Sequence, residues 1–157
     1  MKTIGVGVIG TAFMGKAHSI AYAAAGTAFG GNLRPQLEIV FDRNPEVAEA
    51  KRAEMGFARG TSNYMDVVND PKVDLVSICV PNSVHKEIAV AALAAGKHVW
   101  CEKPMSTNLA DSQAMVDAAA DSEQKTIVGY NYTQNPLVHS ARDLIREGVI
   151  GEITGFF

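Results

Sequence analysis

The sequence predicts an α/β fold, a parallel sheet doubly wound by helices. Short apolar runs alternate with segments of helical period along the whole chain. The runs are continuously apolar rather than alternating, which is the pattern of strands buried on both faces. A glycine turn, Gly10 to Gly15, joins the first run to the first helical segment. At 157 residues the chain is long enough for one well-packed core and short for two.

Ile4 to Ile9 is apolar and followed by glycine, hence the first strand, and Phe13 to Ala25 has the alanine-rich composition of a helix. Ala28 to Gln36, with Gly30-Gly31 and Arg34-Pro35, reads as a long loop, either a surface insertion or a border to a ligand site. Leu37 to Phe41 is the second strand, Pro45 to Met55 a helix with Pro45 in its first turn, and Thr61 to Asn69 a short helix. Leu75 to Val80 counts as strand four, with no third strand placed. Ser83 to Ala95 carries Val84, Ile88, Ala91 and Ala95 at helical spacing, and Gly96 closes it as a left-handed cap. Lys97 to Cys101 is the next strand, and Ser106 or Thr107 caps a helix to about Asp121. Thr126 to Tyr130 is the sixth strand, and Pro136 to Glu147 is a last helix with Val138, Ala141, Leu144 and Ile145 on one face. The usual order of such sheets sets the carboxyl ends of strands one and four side by side, at a switch point where ligands bind.

The composition, 47% hydrophobic and 20% charged, is that of an ordinary globular protein, and 14 basic against 17 acidic residues leave a net charge of -3. No basic run, aromatic-basic interleaving or zinc spacing points to a nucleic-acid partner. Cys79 and Cys101 lie in apolar strand-like segments and are spaced unlike a metal motif, so they read as buried free thiols. Lys2 before an apolar stretch imitates a secretory signal, but Gly5, Gly7 and Gly10 weaken its core and Lys16 and His18 interrupt it. No run approaches the roughly 20 apolar residues of a membrane span. The expected location is cytoplasmic.

Gly10-Thr11-Ala12-Phe13-Met14-Gly15 stands after a strand and opens a helix, the context in which a dinucleotide fingerprint has meaning. It departs from the pattern at Ala12, where a second glycine ordinarily lets the backbone approach a pyrophosphate. Backbone amides at this helix start point at the anion and the helix dipole favours its charge. Lys16 either adds a charge or is solvated. Asp42 ends the second strand, where an acid accepts from the ribose hydroxyls and favours NAD over NADP; the neighbouring Arg43 keeps NADP open. Asp42-Arg43-Asn44 also reads as a polar turn capping the next helix. In a parallel sheet the carboxyl ends share one edge, so Gly10, Asp42, Pro81-Asn82, Glu102-Lys103-Pro104 and Tyr130-Asn131 are expected to line one crevice. Alone, Asn82 is a helix cap and His85 a first-turn surface histidine. His18, His98 and His139 read as packing or surface groups.

The runs Gly7 to His18, Pro81-Asn82-Ser83-Val84-His85, Ala95 to Pro104 and Gly129-Tyr130-Asn131-Tyr132 resemble the glucose-fructose oxidoreductase, inositol dehydrogenase and rhizopine-catabolism (Gfo/Idh/MocA) oxidoreductase family, from about Thr3 to Phe157. The glycine-to-Glu-Lys-Pro segment is the most specific element. The resemblance implies a Rossmann domain over residues 1–130, a connecting helix region over 131–150, and at 151–157 the first strand of an absent, mostly antiparallel second domain that shapes the substrate pocket and mediates homo-oligomers. It implies sugar or polyol substrates and oxidation or reduction at CH–OH groups. Lys103 matches the active-site lysine that hydrogen-bonds the reacting hydroxyl, and Pro104 a proline often found cis. Glu102 and Asn82 match positions near the nicotinamide and its ribose, and His85 lies close by. A lysine partly desolvated at a strand end beside a cationic ring can have its pKa lowered toward the working range, while taken alone Lys103 also reads as a surface amine snorkelling from the sheet edge.

The family's aspartate and histidine pair belongs to the second domain, so the expectation is a cofactor half that is inactive, or nearly so, alone. An apolar end of Ile153, Phe156 and Phe157 favours pairing or aggregation. A non-catalytic nicotinamide sensor and an assembly module are the alternative classes. The first shares the glycine turn; the second predicts self-association without nucleotide binding.

Overall fold

The computed structural model describes residues 1–155. Six parallel strands are ordered β3-β2-β1-β4-β5-β6. They are β1 (Lys2–Ile9), β2 (Leu33–Phe41), β3 (Arg59–Thr61), β4 (Leu75–Ile78), β5 (His98–Cys101) and β6 (Thr126–Val128). The helices are α1 (Phe13–Ala28), α2 (Pro45–Met55), α3 (Tyr64–Val68), α4 (His85–Ala94), α5 (Leu109–Ala120) and α6 (Pro136–Arg146). β1 pairs with both β2 and β4, which creates the expected switch point between the ends of strands one and four.

Alternate strand residues feed two cores. Ile9, Ile39, Val76, Ile78, Val99 and Cys101 pack with α3, α4 and α5, while Val6, Val8, Val40 and Phe57 pack with Tyr22 of α1 and Met55 of α2. Burying each such valine or isoleucine contributes about 1.5–3 kcal/mol. Both cysteines are buried, and burial pushes each thiol up to about 12.

Several boundaries differ from expectation. β2 begins at Leu33, so the loop expected over Ala28 to Gln36 shrinks to four residues after α1 runs on to Ala28. The ladder from Lys2↔Leu33 onward overrides the Arg34-Pro35 signal. Pro35 is tolerated because β3 reaches only Ile39, Val40 and Phe41, leaving its missing N–H on an unpaired side. β3 occupies Thr61, where a helix was expected; its short polar stretch has no apolar run, and α3 starts only after the Asn63 cap. A 3-10 turn, Asn82–Val84, precedes α4, so Asn82 opens that turn and does not cap the helix. Asn108, not Ser106 or Thr107, caps α5, its side chain accepting from the Asp111 amide. Gly96 is left-handed, as expected. α6 packs chiefly on the 3-10 turn Asn131–Gln134, leaving Leu137, Val138, Leu144 and Ile145 exposed. Gly151–Gly155 form no strand; Phe156 and Phe157, the rest of the strand expected there, lie outside the described residues.

Candidate cofactor-binding site

Five main-chain hydrogen bonds continue the ladder past the strand ends and align the polar residues on one edge. Asp42 N donates to Thr61 O, Gly10 N to Phe41 O, Cys79 N to Ile9 O, Glu102 N to Ile78 O and Gly129 N to Cys101 O, at 2.8–3.1 Å. Above the β2, β1 and β4 ends lies a cavity of about 810 Å³. Gly10, Thr11, Ala12 and Phe13 form its floor, Asp42 and Arg43 one end, and Pro81 with the start of α4 the other.

The floor is built by close approach. Gly10 has φ +109°, and a Cβ at Gly15 would stand 1.9 Å from the Gly10 carbonyl oxygen, so α1 starts hard against β1. Ala12 is extended, φ -70° and ψ -165°, and offers no side-chain cap. Asn44, Asn63, Asn108 and Asn135 cap α2, α3, α5 and α6, and α4 has Glu87 in its first turn. Among the described helices α1 alone has neither a capping side chain nor a first-turn acid. Its first N–H groups are free and its positive dipole end is uncompensated, which suits a pyrophosphate. The bare amides, the cradle without Cβ atoms and the acid across from them fit a dinucleotide.

Asp42 is fixed by two donors. The Thr11 hydroxyl donates to Oδ2, and the Asn44 amide donates to Oδ1 at 3.1 Å. Asn44 caps α2, accepting from the Glu46 and Val47 amides, so Asp42 is spared that task and faces the cavity. Arg43 is exposed at the cavity rim. Lys16 lines the wall but pairs with Glu54 at 2.5 Å, as does Lys51. The two ammonium groups hold the Glu54 carboxyl down at about 2. Phe41 and Tyr64 meet edge to face at 6.4 Å in the cavity wall, and the Tyr64 hydroxyl donates to Glu87 of α4. The motif does not mark Tyr64, Lys51 or Glu87. Only Phe41 carried a signal, as the neighbour of Asp42.

The rest of the expected crevice lies outside this cavity, along the β5 and β6 ends. Lys103, Pro104 and Asn131 are exposed, and Asn82 is half-buried. Lys103 thus lacks the partial burial expected of it, because it stands beyond the side chains that enclose the cavity. The Lys103-Pro104 peptide is cis. Met14 and Gly15 are not among the residues whose atoms line the cavity.

Two residues expected at the cofactor turn inward. Glu102 is 6% exposed and its Oε1 accepts from His18 Nε2 at 3.0 Å. His85 is fully buried, with Nε2 2.8 Å from Val80 O and Nδ1 3.1 Å from Pro104 O. It is therefore not the surface histidine that the lone residue suggested. His18 is the side chain that sequence reasoning undervalued. It lies between Ser77 Oγ, 2.7 Å from Nδ1, and Glu102. Serine, histidine and carboxylate share the composition of a hydrolytic triad but not its geometry, because the serine meets Nδ1 and the carboxylate Nε2, the reverse of a triad, and Ser77 has no exposure to reach a substrate. Among the described residues no cluster of three or more His, Cys, Asp or Glu side chains is placed to hold a metal ion, and no helix is long and apolar enough to cross a membrane.

Comparison with known proteins agrees with this geometry. The family profile described as "Oxidoreductase family, NAD-binding Rossmann fold", of the Gfo/Idh/MocA group, matches residues 4–130. Levoglucosan dehydrogenase of Pseudarthrobacter phenanthrenivorans is 41% identical over 99% of this chain and 40% of its own length. Inositol 2-dehydrogenase of Rhizobium meliloti is 30% identical over 96% of this chain and 43% of its own. A levoglucosan dehydrogenase structure in complex with NADH and levoglucosan superposes with a TM-score of 0.91 at 41% identity, over 97% of this chain and 41% of that one. The chain therefore spans about 40% of the length of the relatives it matches. With its 321456 parallel sheet, bare α1 start and Asp42 acid, the chain belongs to the Gfo/Idh/MocA oxidoreductase family, in which it is the NAD-binding Rossmann part.

Proposed function

We propose that this chain is the cofactor-binding part of an NAD-dependent oxidoreductase acting at a CH–OH carbon of a sugar, polyol or related hydroxy compound. The observation that carries the reading is the uncapped, acid-free start of α1, opening on a cavity whose end is Asp42. The free amides at Ala12 to Gly15 take the pyrophosphate oxygens, with Thr11 and Phe13 shaping the floor around them. The Asp42 carboxylate accepts from the ribose hydroxyls and repels a 2'-phosphate, which favours NAD; the exposed Arg43 beside it is the group through which NADP is tolerated.

NAD, when bound, supplies the acceptor for the hydrogen removed from the alcohol carbon. Pro81, Asn82, Pro104 and Asn131 frame the nicotinamide end of the edge. Lys103 reaches out from the β5 end to hydrogen-bond the reacting hydroxyl and align it. Residues 1–130 bind the cofactor, 131–150 form a connecting region, and 151 onward leads toward a second domain that completes the substrate pocket and the homo-oligomer. Relatives in complex with NADH and levoglucosan or L-sorbose support the substrate class.

Calorimetric titration of the chain with NAD and NADP, repeated with Asp42→Ala and Lys103→Ala, tests the reading. NAD is expected to bind more tightly than NADP. Asp42→Ala removes charge-assisted hydrogen bonds of about 1.5–3 kcal/mol and weakens NAD roughly 10- to 100-fold, while Lys103→Ala leaves NAD affinity within about threefold. Binding of neither nucleotide to the wild-type chain overturns the proposal.

A further inference from the structure

We infer that Lys103 is held in place by two buried histidines, His18 and His85, which act as positioning residues on either side of it. The inference rests on the reading of Lys103 as the group that meets the reacting hydroxyl. Neither histidine lines the cavity, and each ties the Lys103 segment to a different element of the cofactor site.

His18 belongs to α1, the helix whose start faces the pyrophosphate position. With Nε2 protonated the ring donates to Glu102 Oε1 at 3.0 Å, and the Ser77 hydroxyl donates to Nδ1 at 2.7 Å. Glu102 is confined from the other side as well, since a Cβ at Gly129 would come within 2.3 Å of Oε1. Glu102 directly follows β5 and is anchored inward, and Lys103, the next residue, stands exposed in the bend that begins at this anchor, so the position of Lys103 is set by how firmly Glu102 is held.

His85 acts on the next residue. Its ring bridges the Val80 and Pro104 carbonyl oxygens at 2.8 and 3.1 Å, joining the turn after β4 to the turn after β5. Both partners only accept, so a neutral ring donates to one of them and rests against the other, and the tautomer protonated on Nδ1 is the one that hydrogen-bonds Pro104 O. Val80 and Pro81 line the cavity, so Pro104 is referenced to its wall. Apolar residues would fill these two sites at lower desolvation cost. Polar, directional groups there fix a register between α1, the β4–α4 turn and Lys103.

The test follows the Lys103 amine by NMR in the 157-residue chain after reductive 13C-methylation, with the signal assigned by its absence in Lys103→Arg. NADH is expected to shift this signal in the wild-type chain. In His18→Leu and His85→Leu, NADH affinity stays within about threefold, the Lys103 shift falls below about a quarter of its wild-type size, and the Glu102 amide, bonded to Ile78 O at 3.0 Å, exchanges at least about tenfold faster. His18→Gln, which keeps a donor for Glu102, restores both signals; a residue that only filled space would show no such rescue. Where a leucine variant does not fold, Glu102→Gln against Glu102→Met makes the same comparison, with signals retained in the first and lost in the second. Unchanged Lys103 shift and Glu102 exchange in folded variants overturn the inference, as does a parallel fall in NADH affinity and unfolding midpoint. A wild-type chain that binds no NADH overturns the cofactor reading instead, and Glu102 exchange then decides this one alone.

Discussion

Asp42 and Thr11 show how a side chain is prepared before a ligand arrives. The carboxylate takes one hydrogen bond from the Thr11 hydroxyl and one from the Asn44 amide, and Thr11 is 8% exposed, so neither group is free to reorient in solvent. Thr11→Val keeps the shape and removes the donor. It is expected to weaken NAD by about 3- to 10-fold, near the 0.5–1.5 kcal/mol of one hydrogen bond, with Thr11→Ser close to wild type and the unfolding midpoint nearly unchanged. Calorimetry on the three proteins checks it. Asp42 was legible in the sequence because it follows an apolar run at a strand end. The Thr11 contact was not, since it joins residues 31 positions apart. His18 was hidden for the same reason: its partners are Ser77, on β4, and Glu102, just past the end of β5, both far from α1 in sequence.

At the scale of elements, the strand-turn-helix opening depends on one contact between backbones. A Cβ at Gly15 would meet the Gly10 carbonyl carbon and oxygen, which cannot move aside as a side-chain end could. Gly15→Ala is expected to lift α1 from β1, to destabilise the chain by about 1–3 kcal/mol or more, and to abolish measurable NAD binding. Urea unfolding read alongside calorimetry separates the two losses. The glycine turn, the Pro45 start of α2 and the left-handed Gly96 were legible because each is local chemistry that acts wherever it occurs. β3 was not, because Arg59–Thr61 has no pattern of its own and is a strand only through pairing with Ile39, Val40 and Phe41. Pro35 misled for the complementary reason. Whether a proline breaks a strand depends on whether a neighbour needs its N–H.

For the molecule as a whole, burial sets its response to alkali. Desolvation pushes Cys79, Cys101 and Tyr22 up to about 12, from ordinary values of 9.0 for the thiols and 10.0 for the phenol. Below pH 9 folded and unfolded chains are both protonated at these groups and the stability is fully present. From about pH 9 to 12 the unfolded chain releases protons the folded chain retains, so stability falls with rising pH. Denaturant midpoints at pH 7, 9 and 10.5 are expected to decline only above pH 9, and native thiols to resist a disulfide reagent at pH 8. The Glu54 carboxyl, held at about 2 by Lys16 and Lys51, has the opposite sign: its contribution is present above its ordinary 4.5 and is lost on acidifying toward 2, and it is small because the groups are exposed. By itself the sequence determined the alternation of strand and helix, the parallel doubly wound sheet, the fingerprint turn and the acid at the second strand, since periodicity and local turn chemistry act within a few residues. Tertiary structure alone decided which polar groups face the cavity and which face each other. Glu102 and His85 carry the chemistry of ligand-binding residues, but they are drawn inward by His18 and by two carbonyl oxygens, partners distant in sequence that only the packed sheet brings within hydrogen-bond distance.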